Sequence, residues 1–115
     1  MTPTQRTLKA LREKGYVAAV TEKWNPYARI RQDLFGFIDG VALKPNEILG
    51  WQACAGSSVA AHVTKIREVC TDAAGAWLAA GGRIQVWGWR KVKVKRGMKA
   101  MRWEPRVVEL ETTTT

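Results

Sequence analysis

An aspartate, Asp39, stands inside the apolar stretch LFGFIDGVAL (34–43), whose composition is that of a buried strand. The next apolar stretch, ILGWQACA (48–55), carries an amide and a thiol, Gln52 and Cys54, two positions apart. Because residues two apart in a strand point to the same face of a sheet, these two side chains should share a face. A buried carboxylate stays charged only if it is paired, hydrogen-bonded or bound to a metal. The pattern therefore indicates a polar site between two neighbouring strands.

Each of these residues also has an ordinary structural interpretation. Asp39 precedes Gly40, and Asp-Gly is a common turn dipeptide, although the apolar residues that follow favour a strand. Gln52 fits a hydrogen-bonded buried amide, and Cys54 fits a small core residue. No histidine or other base stands near Cys54 in the sequence, so we do not expect a thiol enzyme.

The composition is that of one globular domain with a strong positive charge. The 115 residues fit a single domain, which we place at 1–110, with a disordered tail at 111–115. Nineteen Lys and Arg against ten Asp and Glu give a net charge of +9 and a pI near 10.1. A charge of this size on a small body attracts polyanions, of which nucleic acid is the first candidate. A ribosomal or membrane-surface role fits the charge equally well.

The remaining composition limits the compartment and the type of site. No apolar run approaches the roughly 18 residues of a membrane-spanning helix, and the N-terminal residues lack the apolar segment of a signal peptide. We therefore expect no membrane partner and a cytoplasmic location, in a bacterium or a phage-infected host cell. The two cysteines, Cys54 and Cys70, are expected to be free thiols. The lone histidine, His62, excludes a histidine-rich metal site.

The secondary structure predicted from periodicity and turn signals is an α/β fold with a mixed sheet flanked by helices. The predicted order is helix, strand, strand, strand, helix, strand, strand. The predicted elements are a helix at 4–14, strands at 16–24, 34–43 and 48–55, a helical region at 59–80 with a break near 71–75, and strands at 83–91 and 103–110. A loop at 25–32 separates the first two strands. The central strands are apolar on both faces, so helices should cover both sides of the sheet.

The blocks GFIDGVAL and ILGWQAC, together with the turn between them and the helix that follows, resemble the core of the PD-(D/E)XK nuclease superfamily. Small Holliday-junction-resolvase-like and phage-encoded members look most similar. The resemblance covers roughly Thr4 to Lys91. It implies a restriction-endonuclease-like core, in the order α-β-β-β-α-β, that cuts nucleic-acid phosphodiester bonds with Mg²⁺ or Mn²⁺.

The superfamily signature is an aspartate in the second core strand and Glu-x-Lys in the third. Asp39 matches the metal-binding aspartate, Gln52 stands where the second acid would be, and Cys54 stands where the lysine would be. Glutamine keeps an oxygen ligand for a hard cation but removes one negative charge. Cysteine removes the cation that would stabilise charge developing on the phosphate.

The missing lysine has two candidate replacements. Superfamily members relocate this residue to the following helix, which makes Lys65 our first choice, and Lys91 at the end of the next strand is the second. A degenerate site without a replacement is the third interpretation. The first helix also lacks the acid that resolvase relatives often carry there, since 4–6 reads Thr-Gln-Arg.

Two further acids are candidate ligands beside Asp39 and Gln52. Glu22 ends the first predicted strand and is expected to face the same pocket. Asp33 shares a face with Asp39, but the two lie roughly 20 Å apart along an extended strand. They can bind one ion only if the strand bends, for example at Gly36.

The stretch from Arg83 to Arg106 is strongly basic, with nine Lys and Arg against one acid, Glu104. Cations and aromatic residues alternate there, which places on one strand face Trp87, Trp89, Lys91, Lys93 and Lys95. Such a stripe can contact phosphates and stack on bases. The alternative is a solvated edge strand protected from aggregation by lysines. The residues we predict to bind nucleic acid are Arg29, Arg31, Arg90, Lys91, Lys93, Lys95 and Arg96, and those expected in the core or an interface are Trp24, Trp51, Trp77 and Trp103.

Three functions remain open from the sequence. The first is a metal-dependent endonuclease acting on DNA, with branched DNA among its candidate substrates, and working as a homodimer. The second is a catalytically degenerate nucleic-acid-binding protein of the same fold. The third is a phage-type protein-interaction module whose basic surface matches an acidic partner.

Overall fold

The computed structural model describes residues 1–111, and the predicted tail at 111–115 therefore lies outside the described residues except for Glu111. The helices are α1 (Pro3–Glu13), α2 (Val59–Glu68) and α3 (Thr71–Ala79), and one turn of 3₁₀ helix, Gly56–Ser58, precedes α2. The strands are β1 (Val17–Val20), β2 (Lys23–Asn25), β3 (Ile30–Gln32), β4 (Gly40–Lys44), β5 (Glu47–Ala55), β6 (Arg83–Lys93) and β7 (Met101–Leu110).

Five strands form one mixed sheet in the order β1-β4-β5-β6-β7. Strands β5 and β6 are parallel, and the other neighbouring pairs are antiparallel. A parallel pair needs a long crossover connection, which α2 and α3 provide here. Strands β2 and β3 form a separate two-stranded hairpin. The predicted α/β class with a mixed sheet flanked by helices is confirmed.

Helices cover both faces of the sheet, as the apolar central strands predict. The face covered by α1, called the α1 face below, has a core that includes Leu11, Ala18, Leu49, Trp51, Trp87 and Trp89. The other, called the α2 face, has a core that includes Phe37, Ile38, Cys54, Val59, Ile66, Ile84 and Val86. The strands thus bury alternate residues against different helices, as the two-residue period of a strand requires.

Helix α1 confirms the helix predicted at 4–14, although it begins and ends one residue earlier. Thr2 caps its start in a capping box, because the Gln5 amide donates to Thr2 Oγ1 at 3.2 Å and Gln5 Oε1 accepts from the Thr2 amide at 3.0 Å. Gly15 follows its end with φ of 91°, a conformation that favours glycine. Trp89 Nε1 donates a buried hydrogen bond of 2.9 Å to Thr7 Oγ1, which attaches α1 to β6.

The predicted strand at 34–43 is wrong in its first half. Residues 33–39 form a reversed turn, and the strand begins only at Gly40. Within the turn, Leu34 and Ile38 exchange backbone hydrogen bonds of 2.9 and 3.0 Å. Phe35 and Gly36 have φ of 55° and 83°, so the chain passes through the left-handed region and turns back. Apolar composition therefore predicted a strand where a glycine reverses the chain.

The predicted strand at 16–24 and loop at 25–32 are correct only in part, since the strand is interrupted after Val20 and the loop contains β3. Strand β1 ends at Val20 because the amides of Thr21 and Glu22 both donate to the Asp39 carbonyl, at 2.8 and 3.2 Å, outside the ladder. The chain then enters β2, which pairs with β3 inside the region expected to be a loop. The Asn25 side chain accepts from two amides of the connecting turn. The Asn-Pro signal correctly predicted a turn, but the sequence pattern did not predict β3, the strand that follows this turn.

The tryptophans divide between core and surface. Trp51 is fully buried and Trp77 is half-buried, as expected, and Trp77 Nε1 donates to the Arg83 carbonyl at 2.8 Å. Trp24 and Trp103 are 54% and 41% exposed, so the core prediction is wrong for both, and an interface role stays a prediction.

Charged side chains connect the strands at the end of the sheet where β4 turns into β5. Arg83 at the start of β6 pairs with Glu47 at the start of β5 and with Glu109 near the end of β7. The Arg83 Nε atom donates to Glu109 Oε2 at 2.8 Å. Tyr16 donates its hydroxyl to Glu47 Oε1 at 2.7 Å. Three strands are therefore held together at this end.

Replacing Gly40 with alanine should destabilise the fold. The new Cβ would collide with the Trp51 indole and lie 2.6 Å from the Ala19 carbonyl oxygen, which is backbone and cannot rotate away. We expect Gly40→Ala to lower the free energy of unfolding by about 2 kcal/mol or more. Urea denaturation measures this change.

The matched control is Gly75→Ala in α3, where an added Cβ meets nothing within 4 Å. There alanine should raise the free energy of unfolding by roughly 0.5–1 kcal/mol, through helix propensity and lower entropy of the unfolded chain. Equal effects of the two substitutions would contradict the close packing of Trp51 against Gly40.

Candidate metal centre

Three carboxylates converge beside the start of β4. Glu22 follows β1, Asp33 follows β3 and Asp39 immediately precedes β4. One carboxylate oxygen from each lies within 4.8 Å of the others, and Asp39 is buried whereas Glu22 and Asp33 are half-buried. Negative charges this close raise the free energy unless a proton or a cation compensates them.

The turn at 33–39 explains why Asp33 belongs to this cluster. An extended strand would have separated Asp33 from Asp39, and the sequence allowed a shared ion only if the chain bends. The bend occurs at Phe35 and Gly36, and it returns the chain to the start of β4. The condition for Asp33 to share an ion with Asp39 is therefore met, and the geometry brings both Glu22 and Asp33 to Asp39.

Gln52 lies directly beneath the carboxylates. Gly40 pairs with Trp51, so the same antiparallel register puts Asp39 opposite Gln52 on the α2 face. Gln52 is only 2% exposed, and its Nε2 donates to Asp33 Oδ2 at 3.4 Å. Its Oε1 is buried and has no hydrogen-bond partner in the described part of the chain. A buried acceptor left unpaired costs about 1–3 kcal/mol, so this oxygen is suited to a ligand that the cluster would hold.

The side chain of Asp39 is fixed by a hydrogen bond, and its surroundings disfavour the charged form of the carboxylate. The Ala53 amide donates to Asp39 Oδ2 at 2.8 Å, which joins the side chain to β5. Burial above all, with the hydrogen bond to Asp33 and the charges of Asp33 and Glu22, raises the pKa of Asp39 to about 8, although the hydrogen bond from the Ala53 amide acts in the opposite direction. Without a cation, Asp39 therefore keeps a proton at neutral pH.

Two cationic side chains stand at the rim of the cluster. Arg31 Nη1 lies 3.5 Å from Glu22 Oε1. Lys65, an exposed residue of α2, lines an open cleft of about 500 Å³ together with Arg31, Asp33 and Gly36. Lys65, the first candidate for the displaced lysine, therefore borders the same cleft as Asp33. Arg31 contacts Glu22, another acid of the cluster.

Lys91, the second candidate for that lysine, lies on the wrong face of the sheet. Odd-numbered residues of β6 face α1, since Trp89 bonds Thr7 and Lys14 Nζ lies 5.4 Å from the Trp87 ring centroid. Lys91 follows the same alternation, and its Nζ lies 5.5 Å from the ring centroid of Trp103. The cluster is on the α2 face, so the sheet separates Lys91 from the carboxylates. Lys91 is therefore excluded as the replacement for the displaced lysine.

Cys54 does not replace the cation. It is 7% exposed within the α2-face core, and burial followed by the charge of Asp39 raises the pKa of its thiol, which keeps it neutral. Cys54 and Cys70 are both free, as predicted.

His62 lies closer to the site than its sequence context suggested. The Nδ1 atom of His62 is buried without a hydrogen-bond partner in the described residues. Burial and the charge of Lys65 lower the pKa of His62, whereas the charge of Asp33 raises it. The available sequence signal was its position three residues before Lys65, on the same helix face.

The predicted nucleic-acid residues fall in two places. Arg29 lies in the turn between β2 and β3, with φ of 54°, and Arg31 lies in β3. The other predicted residues lie on β6 or in the turn that follows it, namely Arg90, Lys91, Lys93, Lys95 and Arg96. The expectation that Trp87 and Trp89 stack on bases is wrong, because they are only 2% and 9% exposed beneath α1.

Comparisons of the chain with protein-family models, with curated proteins and with solved structures find no match. Among the helices within residues 1–111, none has the length and apolar character needed to cross a membrane. The chemical interpretation of the cluster therefore depends on its own residues and their geometry.

The substitution Asp39→Asn should stabilise the metal-free protein in a pH-dependent way. The unfolded chain loses the Asp39 proton near pH 3.9, whereas the folded protein retains it up to about pH 8, so raising the pH between these values favours unfolding of the wild type. Asparagine keeps an acceptor for the Ala53 amide without a charge. At pH 8 we expect a gain in the free energy of unfolding of at least about 1.4 kcal/mol, the equivalent of one pKa unit, and none near pH 4. Denaturation in EDTA across this pH range measures it.

Glu68→Gln is the control, because it removes an exposed carboxylate outside the cluster. Its effect on unfolding should not grow between pH 4 and pH 8. Added Mg²⁺ or Mn²⁺ should raise the melting temperature of the wild type and of Glu68→Gln but not of Asp39→Asn. An Asp39→Asn gain that is the same at every pH would contradict the crowding of carboxylates described above.

Proposed function

We propose that the chain is a Mg²⁺- or Mn²⁺-dependent nuclease that hydrolyses DNA phosphodiester bonds and belongs to the PD-(D/E)XK superfamily. The observation that carries the proposal is the cluster of Glu22, Asp33 and Asp39 in contact with Gln52, whose buried Oε1 has no hydrogen-bond partner among residues 1–111. Acids in this number beside an unsatisfied amide oxygen favour a cation over a purely structural role.

The order of the elements supports the superfamily assignment. Without the β2–β3 hairpin, the chain runs α1, β1, β4, β5, α2, α3, β6, which agrees with the α-β-β-β-α-β order if α2 and α3 count as one helical segment. Asp39 stands at the start of the second strand of this series and Gln52 in the third, the positions that the signature requires. The hairpin contributes Asp33 to the cluster from the residue after β3.

The donor set fits a hard divalent cation. Carboxylate and amide oxygens are the ligands that Mg²⁺ and Mn²⁺ prefer, and the residues that would hold the ion are Glu22, Asp33, Asp39 and Gln52. When bound, such an ion supplies Lewis-acid polarisation of a phosphoryl oxygen and a bound water of lowered pKa. Asp39 would then be ionised, because the positive charge of a bound cation favours the carboxylate over its protonated form.

Lys65 is the chain's candidate for stabilising the charge that develops on the phosphate. It lines the cleft that also borders Asp33, and its side chain is exposed on α2, which lets the ammonium reach a phosphate in that cleft. Arg31 borders the same cleft and would assist in binding the substrate. Cys54, a buried neutral thiol, contributes neither charge nor nucleophile.

A second function has one observation in its favour. A neutral, buried Cys54 where the superfamily has a lysine supports a binder that kept the fold and lost cleavage. Such a protein would bind DNA with strong salt dependence and would not respond to substitution of Asp39. A protein-interaction module would neither bind nor cut DNA.

The predicted homodimer has its rationale in size, since one subunit of 115 residues covers little duplex. It stays a prediction, which light scattering with and without DNA tests.

Cleavage of labelled linear, single-stranded and four-way-junction DNA with Mg²⁺ or Mn²⁺ tests the proposal. Wild type should cut at least one of these substrates, and Asp39→Ala should abolish cutting while DNA binding remains. Lys65→Ala should lower the cleavage rate by roughly a hundredfold or more, the usual effect of losing one group that stabilises transition-state charge.

Arg67→Ala is the control for Lys65→Ala, because it removes a cation from the same helix but lines a different pocket, with Thr71 and Leu110. It should leave the rate unchanged. DNA binding without cutting under either metal would overturn the nuclease proposal in favour of the binder, and absence of both would favour the interaction module.

A further inference from the structure

Strands β6 and β7 extend beyond the rest of the sheet as a two-stranded ribbon. The last residue of β5, Ala55, pairs with Trp89, whereas β6 and β7 remain paired as far as Lys93 and Met101. Residues 90–93 and 101–104 therefore have only each other as strand neighbours, and they are called the ribbon below. Its faces continue the two faces of the sheet.

Contacts at the base of the ribbon identify its faces. Trp89 bonds Thr7 of α1, so odd-numbered residues of β6 lie on the α1 face. Gly88 lies against Val59 of α2, since an added Cβ there would collide with the valine side chain. Even-numbered residues of β6 therefore lie on the α2 face, and Arg90 is the first cation among them.

The pairing of β6 with β7 adds two arginines to this face. Residues directly opposite each other in an antiparallel pair project to the same side. Arg106 is opposite Gly88 and Arg102 is opposite Val92, so both share the α2 face with Arg90. The lysines of the ribbon are on the other side, because Lys91 and Lys93 are odd-numbered.

The carboxylate cluster is on the same face as these arginines. Gln52 pairs with Val86 and Cys54 with Gly88, so the same face of the sheet runs from the cluster, beneath the 3₁₀ turn and the start of α2, to the ribbon. From strand spacing and rise, the Cα atoms of Arg106, Arg90 and Arg102 lie about 12, 14 and 22 Å from that of Gln52. They form a line that leads away from the cluster.

The three arginines are exposed and make no close ion pair. None of Arg90, Arg102 and Arg106 makes an ion pair with an acid among residues 1–111. Glu104 is the acid of the ribbon on this face, opposite Arg90, and it makes no ion pair with a described residue either.

Aromatic residues are absent from the α2 face of the ribbon within the described chain. Trp103 is opposite Lys91 and so lies on the α1 face, where Arg6 stacks 3.9 Å from its ring centroid. Single-stranded nucleic acid is usually bound by stacking its bases on aromatic side chains, whereas cations alone contact the phosphates of a duplex. This face therefore favours a duplex.

We infer that Arg90, Arg102 and Arg106 bind the phosphate backbone of double-stranded DNA next to the carboxylate cluster. Lys91 and Lys93 are also predicted from the sequence to bind nucleic acid, but they lie on the opposite face of the ribbon and point away from this DNA. The inference rests on the proposed function for what happens to the DNA, but the binding itself needs no metal and no cleavage.

Fluorescence anisotropy with a short labelled DNA duplex in EDTA, over a series of salt concentrations, tests the inference. The two variants to compare are Arg90→Gln/Arg102→Gln and Lys91→Gln/Lys93→Gln. Each removes two positive charges from the same ribbon and keeps part of the aliphatic side chain. The slope of log affinity against log salt should become shallower by about 1.8 for the arginine pair, or about 0.9 per phosphate contact, and stay at the wild-type value for the lysine pair.

Three additional measurements complete the test. Arg106→Gln alone should reduce the slope by about 0.9, and melting temperatures should show that all variants remain folded. Equal losses for the arginine and lysine pairs would overturn the inference in favour of diffuse charge attraction. Tighter binding to single-stranded DNA or to duplex RNA would overturn the assignment to duplex DNA. Loss of slope in the arginine pair, in a protein that never cuts, would support the inference and reject the nuclease.

Discussion

Asp39 is hydrogen-bonded both to β5 and to the residues that follow β1, and the rest of the site depends on this arrangement. Its amide donates to the Trp51 carbonyl at 2.9 Å, its carbonyl accepts from Thr21 and Glu22, and its carboxylate accepts from Ala53. The same contacts end β1, begin β4 and hold the carboxylate against β5. Glu22 is positioned because its own amide is one of the donors. A residue used this fully by the backbone cannot move to relieve the repulsion of its neighbours, so the repulsion remains for a proton or a cation to compensate.

The elements that the sequence predicts well are those whose signals are local. Helix α1 has its cap at Thr2 and its stop at Gly15, and β6 shows a regular two-residue alternation. The turn at 33–39 has no such signal, because its apolar residues serve the α2-face core while the backbone reverses at Gly36. Its apolar composition is the same as that of a strand. The distance between Asp33 and Asp39 follows from this turn, which is why the third carboxylate could not be assigned from spacing.

Alternation along a strand shows which residues share a face, but it does not show what covers that face. The alternation correctly predicts that Trp87 and Trp89 share a face with Lys91 and Lys93. The prediction that this whole face is exposed to solvent is wrong. Helix α1 covers the first two residues, and the hydrogen bond from Trp89 to Thr7 joins positions 82 residues apart. A contact this distant in sequence leaves no periodic signal. The side of the sheet that carries the carboxylates follows from the same packing, and so does the exclusion of Lys91 from the site.

The ion pairs of Arg83 give the sheet two ends of different character. At the turn between β4 and β5, Arg83 joins Glu47 and Glu109 across three strands with opposite charges. At the other end of β4, the three acidic side chains of the cluster lie close together, and no opposite charge contacts the buried Asp39 among residues 1–111. Local opening of a protein begins where cohesion is weakest, so amide hydrogens near the start of β4 should exchange with solvent sooner than those near Arg83. A ligand that neutralises the carboxylates would stabilise the start of β4 and slow the exchange of the amide hydrogens there.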